Sequence, residues 1–122
     1  MSTNDWIPND PSQLNANFVR AYLAKYGGTA QAIDSTSAEA YSAGMLLQDV
    51  AARTGELTNA SIIKALHSGS WPTVIGDLHW NAFGEPQGSY TLVQWIHNQL
   101  TPVFPSARAQ RAPAKPSAST SW

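Results

Sequence analysis

The side chains with chemical potential are His67, His79 and His97, eight carboxylates, and hydroxyls spread along the chain. Metal binding calls for histidines, thiols or carboxylates at close helical or turn spacing, and neither the intervals between the three histidines nor their neighbours provide it. The absence of cysteine removes thiol nucleophiles, Cys-based zinc sites and disulfides together. No serine stands in a G-x-S-x-G turn, and no G-x-G-x-x-G or Walker-type loop occurs. The carboxylates fall among loops and caps, where an acid/base pair would need tertiary assembly. This pattern offers nothing to an enzyme and predicts neither cofactor nor metal. Trp71, Trp80 and Trp95 read as packing, because aromatic side chains dominate cores.

The elements that would position such groups follow from periodicity and caps. The opening "NDWIPNDPSQLN" reads as a loop with Trp6 and Ile7 as its apolar anchor. Phe18, Val19, Tyr22, Leu23 and Tyr26 then recur at helical spacing, and Gly27 and Gly28 stop that helix. Thr36 and Glu39 stand three apart as a capping box for a second helix, which is apolar around most of its circumference from Ala38 to Ala52 and ends at Gly55. Thr58 caps a third, shorter helix, with Leu57 and Ile62 placed as a hydrophobic staple and His67 near its end. Beyond Trp71 the pattern is β-type: a strand over Thr73 to Trp80, a turn at Asn81 to Gly84, a strand over Tyr90 to Trp95, and a turn at "HNQ" into "TPVFP". An α/β domain normally alternates helices and strands and owns a sheet that covers its helices, so three helices followed by a short strand pair read as one end of a larger α/β protein.

Composition agrees. Of 122 residues only 12% are charged, about half the usual share, against 43% hydrophobic, which suggests surfaces covered by other protein. All eight acidic residues precede Pro105, whereas Arg108, Arg111 and Lys115 follow it. Three cations diluted among Pro, Ala and Ser do not make a nucleic-acid patch. No apolar run reaches the roughly 18 residues that cross a bilayer, and Met1 to Asp10 lacks the basic and apolar regions of a signal peptide. Residues 1–105 form the expected domain, and 106–122, rich in Ala, Pro and Ser, form an expected disordered tail.

Read in order, the elements resemble the C-terminal third of the type I periplasmic binding proteins, in the branch that serves branched-chain amino acids and amides. "NANFVRAYLAKYGG" is similar to the family's Phe-Val-x-x-Tyr helix ending in Tyr-Gly. "AEAYSAGMLLQDVAARTGEL" resembles its Ala-Tyr-x-Ala helix with a Thr-Gly stop. "SIIKALHSGSWPTVIGDLHWNAFGEPQGSYTLVQW" follows the closing pattern of an Ala-Leu helix, Thr-x-x-Gly, strand, turn and a strand ending in Gln-Trp, and "TPVFP" is similar to the usual final strand. Asn81 stands where the family commonly has Asp, and serves a turn equally well.

The resemblance implies a fragment of a two-lobed α/β fold. It implies a non-enzymatic function, that of the substrate-binding component of an ABC transporter, which captures a small amino-acid-like solute in the cleft between lobes. The implied partner is the transporter permease, and the implied location of the full-length form is the periplasm or cell surface, without direct membrane insertion. The segment from Thr73 to Trp95 would return from one lobe to the other near the hinge. One ligand contact of the family lies just before its Ala-Tyr helix, which carries over to Thr36 and Ser37 as the candidate ligand-binding residues. A sensory receptor domain of the same fold is the alternative.

Overall fold

Short polar side chains set the helix starts. Ser12 caps the first helix, its hydroxyl accepting from the Asn15 N–H at 3.2 Å, while Asp10 Oδ1 accepts from the Ser12 N–H at 2.9 Å. Helix α1 covers Gln13–Tyr26 and ends at Gly27, where φ is 72° and the N–H reaches back to the Leu23 carbonyl. After a single 3-10 turn at Ala30–Ala32 comes α2, Ser35–Thr54, stopped by Gly55 in the left-handed conformation. Helix α3, Asn59–Leu66, starts on Thr58, whose hydroxyl accepts from the Ser61 N–H, and closes on His67, whose N–H donates to the Ile63 carbonyl. The computed structural model describes residues 2–88, 90–106 and 109–115, with the backbone alone for 2–4.

Two expectations about the helix starts are corrected. The N-cap of α2 is Asp34, two residues before Thr36, so Thr36 and Glu39 do not form a capping box. A carboxylate is a stronger acceptor than a hydroxyl, and it takes the first-turn N–H. Leu57 is 60% exposed, whereas Ile62 packs in the core, so the staple does not close.

The strands form two small antiparallel sheets. Strands β2 (Trp71–Thr73), β3 (Gly76–Trp80) and β4 (Pro86–Gln87) are ordered β2-β3-β4; β1 (Ser2–Asn4), β5 (Thr91–Ile96) and β6 (Gln99–Phe104) are ordered β1-β5-β6. The stretch from Thr73 to Trp80 is therefore not one strand. It turns at Val74 and Ile75, with Thr73 opposite Gly76 and the Thr73 hydroxyl donating to the Gly76 carbonyl at 2.7 Å. Strand β3 pairs with β4, and the strand from Thr91 pairs instead with β1 and β6. The turn at "HNQ" is present: His97 and Asn98 both have positive φ, 49° and 62°, the geometry that matches the twist of a two-residue hairpin.

The chain divides into two compact units, Asp5–Ser89 and Met1–Asn4 with Tyr90–Trp122, so it passes between them once near each end of the first. The Asp5–Ser89 unit holds two cores. One joins Trp6, Phe18, Ile33, Ala38 and Val74, and the other Val50, Ala65 and Trp71. Helix α2 supplies both, through Ala38 and Val50, but Tyr41 and Leu47 on the same helix are exposed, so its apolar circumference is buried along one stripe and not all round as its sequence predicts. In the other unit, Thr91, Val93 and Pro102 lie on a buried face of the β5–β6 pair. Residues 107, 108 and 116–122 of the expected disordered tail lie outside the described residues. Among the described residues, no helix is long and apolar enough to cross a membrane.

Candidate functional site

The start of α2 brings together the two candidate residues and three carboxylates. Asp34 Oδ1 accepts from the Thr36 N–H at 2.9 Å and from the Thr36 hydroxyl at 2.7 Å, and the Asp34 carbonyl accepts from the Ser37 N–H at 3.0 Å. Thr36 is exposed and Ser37 half-buried. The Thr36 hydroxyl and then its N–H hold the Asp34 carboxyl below the usual carboxylate range. Glu39, one turn further on, is pushed the other way: the charge of Asp5 raises it first, then loss of solvent, a hydrogen bond shared with Asp5 and the charge of Asp34. Asp5, Asp34 and Glu39 therefore put three carboxylates near one another at the start of α2, with Asp34 bonded directly to the Thr36 hydroxyl.

This arrangement can orient a polar group by hydrogen bonding and can favour a positive one by charge. It holds no thiol and no histidine. Asp5 was invisible to local reasoning, because 34 residues separate it from Glu39. Asp34 carried a signal, since Asp before Ser-Thr is an ordinary N-cap, but the Thr36–Glu39 spacing competed with it.

The three histidines are dispersed. His67 is the cap of α3, His79 pairs across to Gln87 in the β3–β4 ladder, and His97 is in the β5–β6 turn. Among the described residues no group of three His, Asp or Glu side chains is placed to hold a metal ion. Away from the start of α2, a pocket in the Asp5–Ser89 unit, of about 550 Å³, is lined by Arg53, Thr58, Ser61, Lys64 and Trp71, among others. Its floor is the indole of Trp71, with the Arg53 guanidinium 4.1 Å above the ring centre.

Comparison with known proteins places this architecture. Residues 1–99 match the periplasmic binding protein family. No curated protein matches. Among solved structures, an ABC transporter solute-binding protein of R. palustris in complex with benzoate superposes with a TM-score of 0.66 at 16% identity, over 83% of this chain and 28% of that one. A substrate-binding protein of Desulfitobacterium hafniense in complex with Leu gives 0.65 at 21% identity, over 82% and 30%. A solute-binding protein of Rhodopseudomonas palustris BisB5 in complex with 3,4-dihydroxybenzoic acid gives 0.60 at 19%, over 80% and 27%. The chain thus spans less than a third of the length of each of these structures. All three are solute-binding proteins of transport, not enzymes, and they share with this chain an α/β arrangement of three helices and small antiparallel sheets. With four-fifths of its length covered by its profile, the chain belongs to the periplasmic binding protein family.

Proposed function

We propose that the whole protein is the solute-binding component of an ABC transporter and that it captures a branched-chain amino acid, an amide or a similar small polar solute between two lobes. It delivers this solute to the permease, in the periplasm or at the cell surface. The family match over residues 1–99 carries the reading. The three similar structures hold benzoate, Leu and 3,4-dihydroxybenzoic acid, and the chemistry common to these is one carboxylate on a compact apolar body.

Thr36 and Ser37 contribute hydrogen bonds along one edge of one wall. The carboxylates at the start of α2 favour an amino-acid-like solute over a bare aromatic acid, since an ammonium gains from Asp34 and Glu39 where a lone carboxylate is repelled. An aromatic acid is the second reading, favoured by two of the three structures named.

Calorimetric titration of the whole protein with leucine, valine, small amides, benzoate and 3,4-dihydroxybenzoate tests this. Saturable binding of an amino acid or amide supports the first reading. Binding of the aromatic acids alone establishes the second, and no binding of any solute in the panel overturns both. Thr36→Val, which keeps the shape and loses the hydroxyl, weakens binding several-fold; unchanged affinity removes Thr36 from the site.

A further inference from the structure

The face of the β5–β6 hairpin that carries Leu92, Gln94 and Ile96 has an occupant. Register places Phe104 opposite Leu92, Thr101 opposite Gln94 and Gln99 opposite Ile96. An irregularity between Leu92 and Val93 inserts Val103 as the extra residue, which keeps Phe104 on the face of Leu92 instead of turning it away. Across this face runs the segment from Ala109 to Lys115. The Gln94 side-chain amide donates to the Ala114 carbonyl at 3.0 Å, and its oxygen accepts from the Ala114 N–H at 2.9 Å. Four residues earlier, the Gln110 N–H donates to the Pro102 carbonyl at 3.0 Å.

The chemistry of the Gln94 contact is specific to an extended chain. Only in an extended residue do the N–H and C=O point to the same side, as in a hydrogen-bonded pair of antiparallel strands. The Gln94 amide, one donor beside one acceptor, takes the place of the neighbouring strand. Pro113 favours that conformation, because its ring fixes φ near the extended polyproline value and biases Ala112 likewise. The contact reads backbone and no side chain at 114. What limits the sequence is the space beside it, about 660 Å³ lined by Leu92, Val103 and Phe104 below and by Ala109, Ala112 and Pro113 above.

We propose that this face of β5–β6 is a recognition surface for an extended peptide backbone, and that residues 109–115 of the same chain are the peptide it holds. The segment is a strap, read through Gln94 and the Pro102 carbonyl, and its small residues let it lie across Leu92 and Phe104. Because recognition is by backbone, the same surface accepts a segment of the same kind supplied separately.

Trypsin tests the strap, since the bond after Arg111 lies between the two anchors. In the 122-residue chain this bond is protected. Gln94→Ala, which removes both bonds of the clamp, speeds its cleavage roughly tenfold, the equivalent of two modest hydrogen bonds, and Ala114→Pro, which removes the strap's donor without touching the sheet, speeds it about threefold, the equivalent of one. Hydrogen exchange at the β5 and β6 amides stays unchanged in Ala114→Pro, which separates release of the strap from loss of the sheet. A peptide of residues 107–115 added to the Ala114→Pro chain then shifts the NMR signals of the Gln94 side-chain amide saturably. Equal cleavage after Arg111 in all three chains overturns the strap, and an unshifted Gln94 signal overturns recognition of a separate peptide. Protection that disappears on dilution, together with dimers in light scattering, overturns the assignment of the strap to its own chain.

Discussion

Two tryptophans in the Asp5–Ser89 unit are almost equally buried and quite differently held. Trp6, 3% exposed, donates its indole N–H to Asn15 Oδ1 at 2.8 Å and meets the Phe18 ring edge-on at 5.7 Å. Asn15, itself 1% exposed, donates to the carbonyls of Pro8 and Asp10 at 3.0 and 2.9 Å, so one amide closes the whole opening loop onto α1. Trp71, 1% exposed, packs on Val50 and Ala65 with Arg53 above its ring, but its indole N–H has no hydrogen-bond partner among the described residues. The first corner is held by polar groups that satisfy one another within ten residues; the second is held by apolar area and one cation. A buried amide network resists the loss of any member, whereas an apolar core carrying an unpaired donor tolerates losing that donor.

The largest effect expected from this contrast is at Asn15. Asn15→Ala strands the Trp6 donor and the Pro8 carbonyl at once, and should cost about 3 kcal/mol in urea denaturation. A cost under about 1 kcal/mol would mean that the network is ornamental. Phenylalanine in place of each tryptophan sharpens the comparison. Both replacements lose ring area, but Trp6→Phe also orphans the buried Asn15 oxygen, while Trp71→Phe removes a donor that already lacks a partner. Trp6→Phe should therefore be the more destabilising by about 2 kcal/mol, and equal costs would break the distinction. Arg53→Ala should cost about 0.5–1 kcal/mol, the size of a cation–π contact at an exposed guanidinium.

The smallest expected effect is one of pH, at the start of α2. Glu39 titrates above the ordinary carboxylate value because Asp5 and Asp34 repel its charge. Its contribution to stability is present below its unfolded-state pKa and is lost as pH rises through the higher folded one. Glu39→Gln should thus stabilise the chain near neutral pH and lose that advantage on acidification, in thermal melts across the range. Asp34 has the opposite sign: its lowered pKa gives stability above the unfolded value, lost as pH falls through the folded one.

The same contrast explains what could be read from the sequence. Helix ends at Gly27 and Gly55 and the start at Thr58 were legible, because each is decided by residues within one turn. So was the burial of Trp6 and Ile7 as anchors. Strand β1 was not, since Ser2–Asn4 gains its partners at Thr91 to Val93 and has no apolar alternation of its own. The turn at Val74 and Ile75 was hidden as well. Two β-branched residues carry no turn signal, and Val74, 4% exposed, turns there because it enters the core of Trp6 and Phe18. At the candidate site Thr36 and Ser37 are named by the family resemblance alone, whereas the pairing of Asp5 with Glu39 is a product of tertiary folding.

Under the proposed function, solute capture needs walls from two lobes, and this chain would supply at most one edge of one wall. Calorimetric titration of the 122-residue chain with leucine, valine and small amides tests it most directly, with hydrogen exchange at the α1 and α2 amides run in parallel to establish that the chain is folded. The account predicts no saturable heat. Saturable micromolar binding by the chain alone would contradict it.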